Sequence, residues 1–363
     1  MNVAVTHERS GGSVAPTREV ALEVHGLTAS YGEGPGAAQA VVDVDLVLHR
    51  GEVLGIAGES GSGKSTLAYA ITRLLRSPGV ITSGEVVFHS ASGETVDLLT
   101  DDVQDLHRVR WAELAVVFQS AMNALNPVLT VEQQLTDAYA VHRPRSTRAE
   151  RHARAVEMIG LVGISASRLS SYPHELSGGM RQRVMIAMAL VLQPQIVIMD
   201  EPTTALDVVT QRQILEEVME LRDKLGFSVV FITHDLSLLI EVADSIAIMY
   251  AGRLIERASA AALFHAPRHP YTRGLLSSFP SLHGERRTLV GIPGSPANIR
   301  AVPSGCAFRT RCPFAMDKCA GVRPPLVSPG HAGDSVRQVA CYLHDGEQPV
   351  PSAVDTPERV PVR

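Results

Sequence analysis

The chain has 363 residues, of which 45% are hydrophobic and 20% are charged, so it has enough apolar material for a sizeable core and is not wholly disordered. Its 33 basic and 38 acidic residues give a formal net charge of -5, and only 4% of its residues are aromatic. This balance argues against a chain-wide nucleic-acid-binding surface. The length predicts roughly two domains.

The chain has no segment with the roughly 18 consecutive apolar residues that a membrane-spanning helix needs. Its most apolar run, Val184 to Leu192, predicts a buried helix, and its polar N-terminus lacks a signal-peptide pattern. We therefore expect a cytoplasmic protein that reaches a membrane only by docking onto an embedded partner.

The N-terminal third is expected to be an α/β unit that follows a flexible tail over residues 1–19. The apolar pattern predicts strands at Val20–Val24, Val41–Leu46 and Glu52–Gly58, a helix at Ser65–Leu75, and strands at Glu85–Phe88 and Leu114–Phe118. A strand, a glycine-rich turn and a helix in succession begin a typical α/β unit.

The turn Gly58-Glu-Ser-Gly-Ser-Gly-Lys-Ser65 matches the phosphate-binding loop pattern. Its glycines let several backbone N–H groups face an anion, and the following helix adds its positive N-terminal end. Lys64 can reach the terminal phosphates and the Ser65 hydroxyl can ligate Mg²⁺. The residues predicted to bind the nucleotide here are Gly58, Ser60, Gly61, Ser62, Gly63, Lys64, Ser65 and Thr66.

The middle of the chain changes from strands to helices and back. Helical spacing at Thr130–Val141 and Arg148–Leu161 predicts a helical insertion over about residues 120–176. Strand patterns return at Ile196–Met199, Ser228–Thr233 and Ile246–Tyr250. The chain therefore reads as one α/β sheet interrupted by a helical subdomain.

Two carboxylates end the first of these returning strands. Asp200 and Glu201 follow the apolar run Ile196–Met199, and the end of a strand is where an α/β sheet presents ligand-binding groups. We expect Asp200 to hold Mg²⁺ through its water shell and Glu201 to polarise an attacking water.

Leu176-Ser-Gly-Gly-Met180 lies just upstream of the two-acid strand and resembles the signature of the ATP-binding-cassette ATPases. Ser177, Gly178 and Gly179 open a helix expected to start near Met180, which gives a second set of free N–H groups for phosphate. The resemblance implies a P-loop NTPase cassette over residues 20–262. It also implies head-to-tail pairing of two subunits, with each ATP between one phosphate loop and the partner's signature.

Other positions match the family pattern residue by residue. The resemblance implies that Tyr31 stacks on adenine, that Gln119 contacts Mg²⁺ and the helical insertion, and that His234 hydrogen-bonds the γ-phosphate. It further implies that Ala205-Leu-Asp207 bridges the two subunits. Met180 stands where the family most often has glutamine, and its thioether cannot make the same polar contact.

Fourteen of the 22 prolines follow residue 262, so we expect a separate, loop-rich C-terminal extension over residues 263–345 and a flexible tail over residues 346–363. Three motifs are similar to the dipeptide and oligopeptide importer ATPases, which share this extension with nickel importers. They are Asn126-Pro-Val128, His269-Pro-Tyr-Thr-Arg273-Gly-Leu-Leu276 and Ile292-Pro-Gly-Ser-Pro296.

The four cysteines, Cys306, Cys312, Cys319 and Cys341, all lie in this extension. Such clustering in a cytosolic chain favours metal binding over disulfides, although the spacing is neither a zinc-ribbon pair nor a ferredoxin run. Zinc, an iron–sulfur cluster and four unliganded thiols all remain open on spacing. The resemblance to peptide importers implies a [4Fe-4S] cluster with a structural or regulatory role.

The resemblance implies an enzyme that hydrolyses ATP to ADP and phosphate and thereby energises a membrane importer, with di- or oligopeptides as the expected solute. Its expected partners are a second cassette subunit (usually a different chain), two membrane permease subunits and an external solute-binding protein, with no nucleic acid. We expect a peripheral subunit on the cytoplasmic side of the cell membrane.

Two alternatives remain open. One is an importer of nickel or another solute. The other is a soluble cassette ATPase of DNA repair or translation, although such proteins usually carry two cassettes or a long coiled-coil insertion and neither is visible here.

Overall fold

A computed structural model describes residues 18–34, 36–99, 103–119, 124–202, 207–278, 291–328 and 336–344. The strands of these residues, in chain order, are β1 (Val20–Tyr31), β2 (Ala38–His49), β3 (Val53–Ala57), β4 (Gly79–His89), β5 (Thr95–Asp97), β6 (Leu114–Val117), β7 (Ile196–Asp200), β8 (Ser228–Ile232), β9 (Ser245–Tyr250), β10 (Arg253–Ser259) and β11 (Gln338–Val339).

The α-helices lie between and after these strands. They are α1 (Lys64–Ile71), α2 (Val103–Val109), α3 (Val131–His142), α4 (Arg148–Leu161), α5 (Gly178–Leu190), α6 (Val208–Leu225), α7 (Leu236–Val242), α8 (Ala260–His265), α9 (Pro270–Ser277) and α10 (Lys318–Gly321). None of the helices in the described ranges is long and apolar enough to cross a membrane.

The larger sheet has seven strands in the order β11-β10-β9-β3-β8-β7-β6. The five strands from β9 to β6 are parallel, and β10 and β11 add antiparallel partners at one edge. Strands β3, β6, β7, β8 and β9 are buried along their whole length, as expected for a parallel sheet covered on both faces. Because these strands are parallel, β3, β7 and β8 all end at the same edge of the sheet.

Each face of this sheet has its own apolar core, because successive side chains of a strand point to opposite faces. Val53, Val197 and Val229 face one cluster, which holds residues of α3, α4, α5 and α6. Leu54, Ile198 and Val230 face the other, which holds α1 and the second sheet. That second sheet is antiparallel, in the order β2-β1-β4-β5.

The helical segment follows the sequence pattern closely. Thr130 and Thr147 begin α3 and α4 with reciprocal capping boxes, in which the N3 side chains of Gln133 and Glu150 accept from the capping residues' own N–H groups. Helix α4 has the predicted bounds, and α3 is displaced by one residue because Thr130 is its cap. Both helices pack against α5.

Several elements differ from the sequence-based expectation, and two of them have a clear physical reason. Helix α1 ends at Ile71 and not at Leu75, because Arg73 adopts a left-handed backbone with φ of 53°. Strand β10 was not predicted, since Glu256 and Arg257 interrupt its apolar pattern although both are buried. The extension adds β11 to the sheet by pairing it with β10.

Candidate active site

The phosphate loop connects the end of β3 to the start of α1, and two of its positions have room only for glycine. A Cβ atom on Gly58 would lie 2.3 Å from the Met249 carbonyl oxygen, and one on Gly63 would lie 2.0 Å from the Ala40 carbonyl oxygen. Both residues also have positive φ, at 153° and 104°. The loop is therefore pressed between neighbouring backbones, which fixes its shape.

The remaining loop residues divide into an exposed tip and a buried base. Ser60 and Gly61 are exposed, and Ser62 is buried with a hydroxyl that has no hydrogen-bond partner. The Ser62 backbone accepts a hydrogen bond from Gly252 N–H at 2.9 Å. An unpaired buried hydroxyl in a phosphate loop fits the binding of an anion there.

Lys64 is held at the base of the loop. Its Nζ donates to the carbonyl oxygens of Gly58 at 2.8 Å and Glu59 at 3.1 Å. Burial lowers the pKa of Lys64, and the nearby carboxylates Glu201, Asp200 and Glu59 act in the opposite direction. The loop thus encloses the ammonium group that is predicted to bind the nucleotide's phosphates.

Asp200 and Ser65 meet at the end of β7. Ser65 Oγ donates to Asp200 Oδ1 at 3.0 Å, and Asp200 is fully buried. Burial raises the pKa of Asp200, partly offset by the hydrogen bond from Ser65. No hydrogen bond of ordinary geometry reaches Asp200 Oδ2, although the Tyr69 hydroxyl lies near the carboxylate. A hydroxyl beside a buried carboxylate with one free oxygen suits Mg²⁺, which prefers oxygen ligands and keeps several waters.

Glu201 lies at the centre of a three-residue contact. Its Oε2 accepts from Gln119 Nε2 at 3.0 Å, and its Oε1 is 3.3 Å from Nδ1 of His234. Its φ of 44° is unusual for a residue with a side chain, and such conformations cluster at functional sites. The structure therefore joins Glu201, predicted to polarise the attacking water, to Gln119, predicted to contact Mg²⁺, and to His234, predicted to hydrogen-bond the γ-phosphate.

Tyr31 lies beside the first turn of α1. It ends β1, is half-buried, and its hydroxyl is 3.2 Å from Thr66 Oγ1. This contact places an aromatic ring next to the phosphate loop, and adenine stacking on it stays a prediction.

Ser177 caps α5, which begins at Gly178, two residues before the predicted start. The Ser177 side chain accepts from the Met180 N–H at 3.2 Å, and the Met180 side chain packs partly against the core. In the described residues no hydrogen bond or ion pair joins Ser177, Gly178 or Gly179 to the phosphate loop. A single chain thus leaves the two predicted phosphate-binding helix ends unconnected.

Asp207 caps α6. It accepts from Thr210 N–H at 3.0 Å and from Thr210 Oγ1 at 2.7 Å, and these hydrogen bonds hold the pKa of Asp207 below its usual value. Ala205 and Leu206 of the predicted bridging segment lie outside the described residues. The sequence analysis missed the next two side chains, Val208 and Val209, which are 79% and 78% exposed.

Tyr69 and a contact from the C-terminal extension were also not predicted from the sequence. Arg311 pairs with Glu59 of the phosphate loop through two hydrogen bonds, at 2.7 and 2.9 Å. The two residues are 252 positions apart, and no motif spacing could have shown the contact. Tyr69 lies at the sixth position of α1, one turn beyond Ser65 on the same face of the helix, so helical periodicity was the available signal.

Comparison with known families finds two matches along the chain. The sequence pattern of the ABC transporter family matches residues 41–204, and that of the oligopeptide/dipeptide transporter C-terminal region matches residues 255–319. The first match contains the phosphate loop and both acids. The second contains three of the four cysteines.

Several characterised or named proteins are similar over most of their length. A putative peptide import ATP-binding protein of Brucella melitensis is 43% identical over 323 residues, which cover 86% of this chain and 95% of that protein. The dipeptide transport ATP-binding protein DppD of Escherichia coli is 42% identical over 84% of this chain and 92% of its own. The oligopeptide transport ATP-binding protein AppD of Bacillus subtilis is 42% identical over 90% of this chain and 97% of its own.

Two solved structures share the fold. One is a dimeric post-hydrolysis state of the ATP-binding cassette MJ0796 bound to ADP and Pi, with 29% identity and a TM-score of 0.57 over 66% of this chain and 98% of the other. The second is cbiO1 from Clostridium perfringens, part of the ABC transporter complex cbiONQ, with 26% identity and a TM-score of 0.57 over 68% and 91%.

The predicted [4Fe-4S] cluster is wrong. Cys306, Cys312, Cys319 and Cys341 line one small cavity of about 20 Å³, and the described residues contain no group of three or more His, Cys, Asp or Glu side chains that could hold a metal. The relatives are described as peptide-transport ATP-binding proteins, without a cluster.

The chemistry of the thiols gives the physical reason. Burial raises the pKa of Cys312 to about 11 and that of Cys341 to about 12, and it also raises the pKa of Cys306. The thiolate is the form that binds metal, so the burial of these three side chains opposes metal binding. Cys306 and Cys312 pack against the apolar core.

Proposed function

The chain belongs to the ABC transporter family of ATP-binding proteins, and from this premise we propose that it is the ATP-hydrolysing subunit that drives import of di- or oligopeptides. The observation that carries the ATPase proposal is the convergence of Lys64, Ser65, Asp200 and Glu201 at one edge of a parallel sheet. The match of residues 255–319 to the oligopeptide/dipeptide transporter region supports the choice of solute.

ATP is bound by the phosphate loop in this proposal. Lys64 and the backbone N–H groups between Gly61 and Thr66 face the phosphates, and α1 adds the positive end of its dipole. Ser65 and Asp200 hold Mg²⁺, and Tyr31 stacks on the adenine. When bound, Mg²⁺ neutralises part of the charge on the phosphate oxygens.

Hydrolysis needs a group that accepts a proton from the attacking water. Glu201 fits this role because it follows directly after Asp200 and is only 16% exposed at the side chain. His234 lies on the other side of Glu201, where its ring can contact the γ-phosphate. Gln119 donates to Glu201 and follows β6, so it connects the acid to the start of the helical segment.

The second half of each ATP site comes from another subunit in this proposal. Ser177, Gly178 and Gly179 present free N–H groups at the start of α5 and have no contact with the phosphate loop of their own chain. Val208 and Val209 are exposed beside Asp207, where a second cassette would cover them. ATP between the two subunits then stabilises the closed pair, and hydrolysis releases it.

We further propose that the chain works as a peripheral subunit on the cytoplasmic side of the cell membrane. Its proposed partners are a second, different cassette subunit, two membrane permease subunits and an external solute-binding protein. Closure of the cassettes would move the permease through the helical segment that Gln119 joins to Glu201.

Purification of the complex from native membranes through a tag on this chain tests the proposal. We expect permease subunits to co-purify and a dipeptide, in the presence of the solute-binding protein, to stimulate ATP hydrolysis by the complex in liposomes. Stimulation of ATP hydrolysis by Ni²⁺ and not by peptides would show that the solute is nickel and contradict the proposed peptide. Full hydrolysis by the chain without any membrane subunit would contradict the transport role.

A further inference from the structure

Glu59 is an acidic residue inside a loop that has to bind a polyanion. It follows Gly58 directly, and its carbonyl oxygen accepts from Lys64 Nζ at 3.1 Å. An unpaired carboxylate at this position would repel a triphosphate and compete with it for Lys64. The structure pairs this carboxylate with a cation from the C-terminal extension.

That cation is Arg311. Its two terminal nitrogens donate to Glu59 Oε2 at 2.7 Å and Oε1 at 2.9 Å, in the fork geometry that makes arginine–carboxylate pairs strong. The Arg311 side chain is 4% exposed and that of Glu59 is 24% exposed. Water therefore screens the pair much less than an ordinary surface ion pair.

Arg311 is fixed by its other contacts as well. Its Nε donates to the Pro293 carbonyl oxygen at 2.8 Å, and its guanidinium carbon lies 6.0 Å from the ring centre of Tyr250 and 5.9 Å from that of Phe308. The hydrogen bonds to Glu59 raise the pKa of Arg311 above its usual value. The guanidinium is thus a permanent charge in a constrained position.

The extension holds the backbone of Glu59 as well as its side chain. The Glu59 N–H donates to the hydroxyl of Tyr271 at 2.8 Å, and Tyr271 is fully buried in α9. Its ring packs against Tyr250 at 4.7 Å and Phe308 at 5.4 Å. Two residues of the extension therefore fix one residue of the phosphate loop from both ends.

We propose that Arg311 and Tyr271 are positioning residues for ATP binding. Arg311 neutralises the Glu59 carboxylate and Tyr271 orients the Glu59 backbone, so that Lys64 and the loop N–H groups remain available to the phosphates. The inference rests on the proposed ATPase function. It gives the extension a direct role at the nucleotide site of its own chain, through the loop and without contact with the reacting atoms.

The test measures ATP hydrolysis by the purified transporter with three variants of this subunit. They are the single variant Arg311→Gln, the double variant Arg311→Gln/Glu59→Gln and the single variant Arg300→Gln. Arg300 is an exposed arginine of the same extension and serves as the matched control. Arg311→Gln should raise the KM for ATP about tenfold with kcat within about twofold, because an uncompensated carboxylate opposes binding more than the chemical step. The double variant should recover most of this loss, because glutamine at position 59 carries no charge.

Rescue by Glu59→Gln separates the proposed role from a general loss of structure, because a second substitution would not repair a misfolded protein. An unchanged KM in Arg311→Gln, or a double variant as impaired as the single one, would overturn the inference. If Arg311→Gln does not fold, Tyr271→Phe removes only the hydroxyl. It should raise the KM about threefold at unchanged kcat, and an unaltered KM would contradict the proposal.

The wild-type transporter measured in parallel separates the two proposals. A wild-type complex that does not hydrolyse ATP contradicts the proposed function. A wild-type complex that hydrolyses ATP, with variants that share its KM, contradicts only the role of Arg311 and Tyr271.

Discussion

The ATP site and the C-terminal extension both bury charged residues, but Lys64 and Asp200 of the ATP site are expected to meet a ligand, whereas those of the extension bond to other protein groups. At the ATP site, apolar strands are buried along their length and place polar groups such as Ser65, Glu201 and His234 where the strands end. In the extension and the edge strand it contacts, charged groups such as Glu256, Arg311 and Arg337 are themselves buried.

The difference follows from how each region is stabilised. The cassette has two large apolar clusters, so its polar side chains are free to serve a ligand. The extension has short helices and one two-residue strand in its described part, and its loops need side chains to satisfy their backbone groups. Substitutions should therefore affect activity in the first region and folding in the second, except at Arg311 and Tyr271, which contact the phosphate loop.

The largest effect is expected from Glu201→Gln at the ATP site. Loss of the proton acceptor should reduce ATP hydrolysis by about 10³-fold, the scale of a general base, while glutamine preserves shape and ATP binding. Phosphate release and nucleotide binding by the same preparation provide the measurement. Hydrolysis at the wild-type rate would reject Glu201 as the base.

Glu256→Ala in β10 should instead destabilise the protein. Glu256 is fully buried and accepts from the N–H groups of Arg268 at 2.6 Å and His269 at 2.9 Å, with Arg337 at 3.7 Å. Its removal takes away the acceptor of two buried N–H groups and the carboxylate beside Arg337, which should cost about 3 kcal/mol in the free energy of unfolding. Denaturant unfolding measures the loss, with the exposed Glu241→Ala as the control; equal stabilities for the two variants would contradict the comparison.

Lys64→Ala, at the ATP site, should weaken ATP binding and leave the protein folded. The lysine has two carbonyl contacts in the loop and is expected to exchange them for phosphate oxygens. Loss of one charge-assisted interaction of about 2 kcal/mol reduces ATP affinity by roughly 30-fold or more. Titration calorimetry of the full chain would measure it, and an unchanged dissociation constant would count against the phosphate-loop assignment.

His269 offers a smaller, pH-dependent effect in the extension. It is buried and its Nδ1 accepts from the Tyr271 N–H at 3.0 Å, so it caps α9 as a neutral ring. Burial, with a contribution from His344, lowers the pKa of His269 to about 3. Between about pH 6.5 and that value the unfolded chain binds a proton that the folded chain does not, so stability falls as the pH falls.

The expected loss from this group between pH 7 and pH 5 is about 2 kcal/mol. His269→Asn keeps a side chain that can cap the helix and cannot titrate. Unfolding curves of both proteins at the two pH values would show a steeper loss of stability in the wild type. Identical pH dependence would exclude His269 as its source.

Much of the cassette could be predicted from the sequence because its signals are local. Apolar runs predicted β3, β7 and β8, and helical spacing predicted α4. Local patterns were insufficient where buried charge replaced apolar residues, as in β10. They were also insufficient to predict the chemistry of the cysteines, since spacing alone does not show whether burial disfavours the thiolate form.

The order of motifs along the chain by itself predicted that the phosphate loop, the two acids and His234 lie together, because these follow β3, β7 and β8 and parallel strands bring their ends to one edge. Only the tertiary structure decided that Gln119 and His234 both reach Glu201, and that Arg311 and Tyr271 hold Glu59. These contacts join segments between 33 and 252 residues apart. A contact across such a distance depends on how the elements pack, which no local pattern of residues encodes.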